Sequence, residues 1–126
     1  MLQEIARLGR AFTYAGAGIR YLFAHERNAR IHLALTIMAI FLAWGLGFSA
    51  MEWALLALTI GMVLVAEAMN TAIEALTDLV RPDFHPQAKV AKDVAAGGVL
   101  LAAILAVIIA LFLYLPKLLS LFLSHA

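Results

Sequence analysis

Cysteine is absent from this chain of 126 residues, and charged residues are scarce, at 13%. Without cysteine the chain has neither a disulfide framework nor a thiolate metal site. Hydrophobic residues make up 65% of the chain, whereas a soluble domain of this size needs many more polar groups to cover its surface. The composition therefore predicts an integral membrane protein. The formal net charge of +1 gives no reason to expect a nucleic-acid partner.

The nucleotide-binding loops of the common soluble folds are missing as well. The sequence contains no GxxxxGK[ST] segment, which excludes a P-loop. Gly16 and Gly18 lack the third glycine and the preceding strand of a dinucleotide-binding fingerprint, so we reject that interpretation. The first 30 residues contain no continuous apolar segment and no small-residue cleavage site, so they are not expected to form a secretory signal.

Three apolar runs occur at residues 31–48, 53–66 and 94–115, and the third ends at Pro116. A helix needs about 20 residues to cross the hydrocarbon core, so the second run must extend into the polar residues after it. We expect spans at about 29–48, 52–80 and 90–115. Apolar side chains recur at helical spacing in residues 2–24, which predicts an amphipathic surface helix. The expected fold is an all-α integral membrane protein, residues 1–126 forming a single domain.

The basic residues are distributed unevenly between the two sides of such a protein. Eight of the nine lie in residues 1–30 or 81–92, at the cytoplasmic ends of the expected spans, and the link between the first two spans has none. These eight are Arg7, Arg10, Arg20, Arg27, Arg30, Arg81, Lys89 and Lys92. The positive-inside rule makes their side, which includes the N-terminus, cytoplasmic. The C-terminus is then expected on the outer side.

The second span continues into an unusual polar stripe in residues 65–78 (VAEAMNTAIEALTD). Its members are Glu67, Asn70, Glu74 and Asp78. Their spacing of three, four and four residues places them on one side of a helix that is otherwise apolar. Hydrogen bonding between helices could account for Asn70. It accounts poorly for the carboxylates, because burying an ionised carboxylate is costly unless a cation or a proton compensates.

Further polar side chains are expected on the same cytoplasmic face. They include Arg7, Arg10, Tyr14, Glu26, Asn28, Arg30, Lys92 and Asp93. Interfacial anchoring is a simpler explanation for residues 25–32, and Lys92 could extend to the interface. Carboxylates with basic groups, and no cysteine, suit Mg²⁺, which commonly completes its coordination with phosphate and water. A further carboxylate could accept a proton from an attacking hydroxyl, so these residues suit phosphoryl transfer to a membrane lipid.

Three segments resemble the small prokaryotic diacylglycerol kinase family. They are residues 26–32 (ERNARIH), 67–78 (EAMNTAIEALTD) and 85–93 (HPQAKVAKD). The resemblance extends over about residues 7–117, with departures at Thr77 and Gly98 that do not touch the chemistry. RIH at residues 30–32, Pro86 and LPK at residues 115–117 are more similar to the undecaprenol kinase branch. Diacylglycerol kinases of the family tend to have an acidic residue where His32 stands.

The resemblance implies a role for each matching residue. Glu67 would be the general base on the lipid hydroxyl, supported by Asn70 and Asp78, and Glu26 and Glu74 would bind Mg²⁺. The residues that would contact ATP are Arg7, Tyr14, Glu26, Glu74, Asp83, Phe84, His85, Lys92 and Asp93. The residues that would contact the lipid are Arg7, Arg10, Asn28, Arg30 and Glu67. Arg7 and Arg10 are matched by position in a more variable segment.

The resemblance also implies a homotrimer in the bacterial plasma membrane, with sites shared between subunits. Its expected reaction transfers the γ-phosphoryl group of ATP to undecaprenol or, alternatively, to diacylglycerol. A proton-relay subunit is a different interpretation of the stripe, but it needs acidic residues at several membrane depths, and the first and third spans have almost none. A non-catalytic membrane adaptor would leave the acidic stripe without a purpose.

Overall fold

Four helices make up nearly all of residues 1–123, which are the residues that the computed structural model describes (the side chain of Leu2 excepted). They are α1 (Leu2–His25), α2 (Arg27–Gly45), α3 (Ala50–Val80) and α4 (Pro86–Leu123). Helices α2, α3 and α4 are each long and apolar enough to cross a membrane. The described residues contain no strand, so the expected all-α fold with three potential spans is confirmed. Residues 124–126 of the expected single domain lie outside the described part.

Glu26 separates α1 from α2. Its backbone is extended, with φ −92° and ψ 119°, so the helical conformation is interrupted at this one residue. Its N–H still donates to the carbonyl oxygen of Leu22 (2.9 Å), and its own carbonyl accepts from the N–H of Arg30 (3.3 Å). The bend therefore places the Glu26 carboxylate at the start of the first potential span.

The link between α2 and α3 is tight and is fixed by local interactions. Gly47 has φ +63°, a left-handed conformation that glycine adopts without the steric cost met by other residues. Ser49 and Glu52 form a capping box: the Ser49 N–H donates to Glu52 Oε2 (2.6 Å), and the Glu52 N–H donates to Ser49 Oγ (3.4 Å). These contacts define where α3 begins.

The buried core lies at the same end of the molecule as this link. It consists of Ala43, Phe48, Leu56, Leu113 and Tyr114. The Tyr114 hydroxyl donates to the carbonyl oxygen of Ala39 at 2.7 Å, which joins α4 to α2. Many other large apolar side chains stay exposed, as expected for a chain whose outer surface meets lipid or further protein.

Helix α4 differs from the sequence-based expectation at its C-terminal end. The third span was predicted to end at Pro116, but the helix continues through this proline to Leu123. Proline removes one backbone donor, a loss that membrane helices often tolerate where neighbouring groups compensate. Tertiary contacts hold the continuation in place, because Lys117 lies 3.2 Å from Glu52 Oε2 and Leu118 packs against the core.

The link between α3 and α4 contains the other two prolines. Helix α3 ends at Val80, two residues before Pro82, because a proline disfavours the helical conformation of the residue that precedes it. Pro86, by contrast, is the first residue of α4. Proline is well suited to that position because the first helical N–H has no partner within the helix. The preceding His85 accepts a hydrogen bond from the Gln87 N–H at its Nδ1 (3.3 Å).

Candidate active site

Glu67 is the most deeply buried charged residue in the described part of the chain, with 2% of its surface exposed. It lies on α3 opposite His32 of α2, whose Nε2 is 3.1 Å from Glu67 Oε1. Ala29, one turn before His32, has no exposed surface, so α2 is in close contact with the rest of the chain there. The two polar atoms are close but are not aligned as a hydrogen bond, and Oε1 has no hydrogen-bond partner.

Two further carboxylates surround this buried group. Glu26 and Glu74 both lie within range of charge interaction with Glu67. Asn70 donates from Nδ2 to Glu74 Oε1 at 3.1 Å, which orients the Glu74 carboxylate. Thus the structure brings together Glu26, Glu67, Asn70 and Glu74, residues selected from two separate segments of the sequence.

Burial decreases along the polar stripe of α3. Glu67 is buried, Asn70 and Glu74 are half-buried, and Asp78 is exposed. Asp78 lies eleven residues from Glu67, a rise of about 16 Å along the helix, so the two carboxylates cannot share one contact. Asp78 instead pairs across the α3–α4 link with Lys92, whose Nζ is 2.5 Å from Asp78 Oδ1. The stripe therefore runs from a sealed carboxylate to a solvent-exposed ion pair.

Other predicted site residues are dispersed in the single chain. Tyr14 on α1 has 72% of its surface exposed, and Phe84 in the α3–α4 link has 83%. Arg7 pairs with Glu4 on its own helix (3.4 Å). Asp93 pairs with Lys89, one turn earlier on α4. The remaining members of the expected set are exposed or half-buried and form no ion pair within residues 1–123; they are Arg10, Asn28, Arg30, Asp83 and His85.

Glu26 and Arg30 are four residues apart, but no ion pair joins them within residues 1–123. The extended backbone of Glu26 places this residue before the first turn of α2 rather than within it. Among the described residues the Glu26 carboxylate has no cationic partner, and it lies within range of the charge of Glu67.

The carboxylates near Glu67 are possible ligands for Mg²⁺. Glu26 and Glu74 offer carboxylate oxygens, and no three His, Cys, Asp or Glu side chains in residues 1–123 are arranged to hold a metal ion. Mg²⁺ usually takes only one or two protein carboxylates and completes its shell with phosphate oxygens and water. The buried Asn70 Oδ1, beside Glu74, also has no hydrogen-bond partner. These residues therefore fit a magnesium ion that arrives with a nucleotide, rather than one held by the protein alone.

An apolar groove of about 210 Å³ begins at His32 and runs between α2, α3 and α4. His32 lines one end of it, and Leu113 and Tyr114 line the other. The Thr59 hydroxyl in its wall donates to the Leu55 carbonyl (2.7 Å), and the Tyr114 hydroxyl is bonded to Ala39. With those two hydroxyls already satisfied, the wall suits a hydrocarbon chain.

His32 is the functional candidate that the sequence analysis did not select. In the sequence, His32 served only to indicate similarity to the undecaprenol kinase branch. A lone histidine in an apolar run gives no sign of a partner thirty-five residues away. Its position one helical turn after Asn28, on the face that carries Ala29, was the only available signal. The contact with Glu67 depends on how α2 packs against α3.

Comparison with known proteins gives the family. The family model described as prokaryotic diacylglycerol kinase matches residues 13–114. The chain belongs to this family. Among its relatives, the diacylglycerol kinase of Synechocystis is 50% identical over 112 residues, which cover 88% of this chain and 64% of that protein. The undecaprenol kinase of Bacillus subtilis is 39% identical over 115 residues, covering 91% of this chain and 94% of that protein.

A more distant member of the prokaryotic diacylglycerol kinase family is the diacylglycerol kinase of Escherichia coli. It is 31% identical over 102 residues, covering 81% of this chain and 84% of that protein. Family membership and three potential spans identify a multi-pass membrane protein. The chain spans less than two thirds of the length of the Synechocystis relative. Some relatives are named diacylglycerol kinase and another is named undecaprenol kinase, so family membership alone does not identify the acceptor lipid.

Proposed function

We propose that this protein is a membrane lipid kinase that transfers the γ-phosphoryl group of ATP to a lipid alcohol, with undecaprenol as the favoured acceptor. The observation that carries the proposal is the buried Glu67 carboxylate on a potential membrane span. An ionised carboxylate is costly to bury, so its retention there favours a role in binding or catalysis.

Glu67 would accept the proton of the lipid hydroxyl. The lipid oxygen would then attack the γ-phosphorus, and the bond from that phosphorus to the bridging oxygen of ADP would break. Glu26 and Glu74 would hold Mg²⁺, which supplies charge neutralisation on the ATP phosphates when bound. Lys92 would exchange its contact with Asp78 for a phosphate oxygen, and Asn70 would keep the Glu74 carboxylate oriented.

The apolar groove beside His32 is the proposed site of the lipid chain. A hydrocarbon tail there would lie between the spans, and its hydroxyl would meet Glu67 beyond His32, the groove residue that contacts Glu67. Undecaprenol is favoured by the segments at residues 30–32 and 115–117 and by the near-complete coverage of the Bacillus subtilis undecaprenol kinase. Diacylglycerol is the second candidate because the Synechocystis relative, at 50% identity, is named a diacylglycerol kinase.

Assembly as a homotrimer in the bacterial plasma membrane, with α1 on the cytoplasmic surface, is part of the same proposal. Expected ATP contacts such as Tyr14 and Phe84 are exposed in the single chain and do not converge on Glu67. A second copy could bring such residues to the site, and the exposed apolar faces of α2, α3 and α4 offer surface for this contact. The apolar face of α1, including Ile5 and Phe12, is exposed and suits insertion into the membrane interface.

The test is phosphorylation of undecaprenol and of diacylglycerol in mixed micelles with radiolabelled ATP and Mg²⁺. Glu67→Gln should lower kcat by at least roughly 100-fold, the contribution of a general base. Glu52→Gln is the matched control on the same helix, since the glutamine oxygen can still accept from the Ser49 N–H and from Lys117, and the site lies about 22 Å away along the axis. Full activity of Glu67→Gln would refute the base assignment. Lack of any lipid phosphate with the unmodified protein would refute the kinase proposal.

A further inference from the structure

We infer that His32 is a positioning residue that holds the Glu67 carboxylate in the orientation needed to receive the lipid proton. This inference rests on the proposed kinase function and assigns a role to a residue outside the expected site. The observation that carries it is the 3.1 Å separation between His32 Nε2 and Glu67 Oε1 across the α2–α3 contact. Within residues 1–123, His32 is the basic side chain whose nitrogen lies in contact with the Glu67 carboxylate.

The charges around Glu67 explain why one such partner is needed. Glu26 and Glu74 place like charge near the Glu67 carboxylate, and its side chain is almost completely removed from water. A carboxylate in that setting gains from a nearby donor, because its burial leaves little room for water to stabilise its charge. Since a carboxylate only accepts hydrogen bonds, Nε2 of His32 carries the hydrogen in the attractive form of the pair.

The pair also determines which oxygen of Glu67 reacts. When the Nε2–H of His32 donates to Oε1, the other oxygen of Glu67, Oε2, is left to accept the hydroxyl proton. The two atoms are at hydrogen-bond distance but are imperfectly aligned. Catalytic hydrogen bonds are often poorly aligned without substrate and tighten when it binds. Binding of the lipid hydroxyl at Oε2 is therefore expected to draw Oε1 into line with His32.

His32 has a second contact that connects the carboxylate to the lipid site. Its side chain, 20% exposed, forms the end wall of the apolar groove. A lipid chain in that groove must pass the imidazole ring before its hydroxyl reaches Glu67. One side chain thus contacts the carboxylate and also lines the groove. The variants of His32 must therefore distinguish loss of the hydrogen-bond donor from loss of packing against the groove.

Two variants make that separation. His32→Leu keeps an apolar body against the groove but has no donor, whereas His32→Gln keeps an N–H that can reach Glu67. We expect His32→Leu to lower kcat by roughly 10- to 100-fold, the usual range for removing a partner that orients a functional side chain. The KM for ATP should stay within about twofold, and His32→Gln should recover most of the lost kcat, since the donor is restored. Thermal unfolding of both variants checks that the fold is intact.

The contact is measured independently by nuclear magnetic resonance of the full-length protein, ¹⁵N-labelled at histidine, in micelles. Glu67→Leu should shift the ring-nitrogen signals of His32 and leave those of His25 and His85 unchanged. Unshifted His32 signals, full kcat in His32→Leu, or equal losses in the leucine and glutamine variants would each overturn the inference while the unmodified protein remains an active kinase. If the unmodified protein phosphorylates no lipid, the proposed function itself fails and the role of His32 fails with it.

Discussion

Replacement of Asn70 by leucine should separate the stability of this protein from its activity. Asn70 has two polar atoms with opposite energetic effects. Its Nδ2 donates to Glu74 Oε1 at 3.1 Å, and its Oδ1 is buried without a partner. Asn70→Leu removes both atoms while keeping the size and branching of the side chain close to the original.

The magnitudes nearly cancel in the folding free energy. A hydrogen bond to a charged group contributes about 1.5–3 kcal/mol, and an unsatisfied buried polar atom costs about 1–3 kcal/mol. Hydrogen bonds between membrane-spanning helices are weaker than these values, on average about 0.6 kcal/mol. We therefore expect the free energy of unfolding of Asn70→Leu to stay within about 1 kcal/mol of the unmodified protein, measured by titration with a denaturing detergent.

The same change should impair Mg²⁺ use. Without the Nδ2 donor, the Glu74 carboxylate is free to rotate, and loss of such an orienting contact weakens a metal site by roughly 10- to 100-fold. The assay is lipid phosphorylation over a Mg²⁺ series at fixed ATP, with Glu52→Gln as the control at the other end of α3. An unchanged Mg²⁺ dependence would refute the orienting role of Asn70. A stability loss above about 3 kcal/mol would mean that Oδ1 has a partner after all.

Three further changes test the packing that supports the site. Thr71→Val removes a buried hydroxyl that has no partner, so the free energy of unfolding should rise by about 1 kcal/mol; a loss of stability would contradict this. Tyr114→Phe removes the 2.7 Å bond to Ala39 and should destabilise by about 0.6–1.7 kcal/mol, whereas Tyr21→Phe on exposed α1 should be neutral. Gly47→Ala should cost about 1–2 kcal/mol because φ is +63°, whereas Gly45→Ala, at the helical end of α2, should not destabilise. Equal effects at the two glycines would rule out backbone strain as the cause.

The helices and the polar stripe followed from the sequence because both depend on neighbouring residues. Residues 31–48 and 94–115 are apolar for a length that matches a bilayer, so spans were predictable without any knowledge of packing. The spacing of Glu67, Asn70 and Glu74 placed them on one face of α3 through helical geometry alone. The family followed from three segments whose residues stand at characteristic positions.

Contacts between helices were decided only by the tertiary structure. His32 and Glu67 are thirty-five residues apart, and the 3.1 Å between them depends on the packing of α2 against α3. Pro116 was predicted to end the third span, but the contact of Lys117 with Glu52 helps to hold the helix beyond it. Local patterns specify which face of a helix is polar, whereas the partner of each polar atom is set by the neighbouring helix. The sequence alone therefore determined that Glu67 lies on the polar stripe of α3, and the packing of α2 determined that it is buried against a histidine.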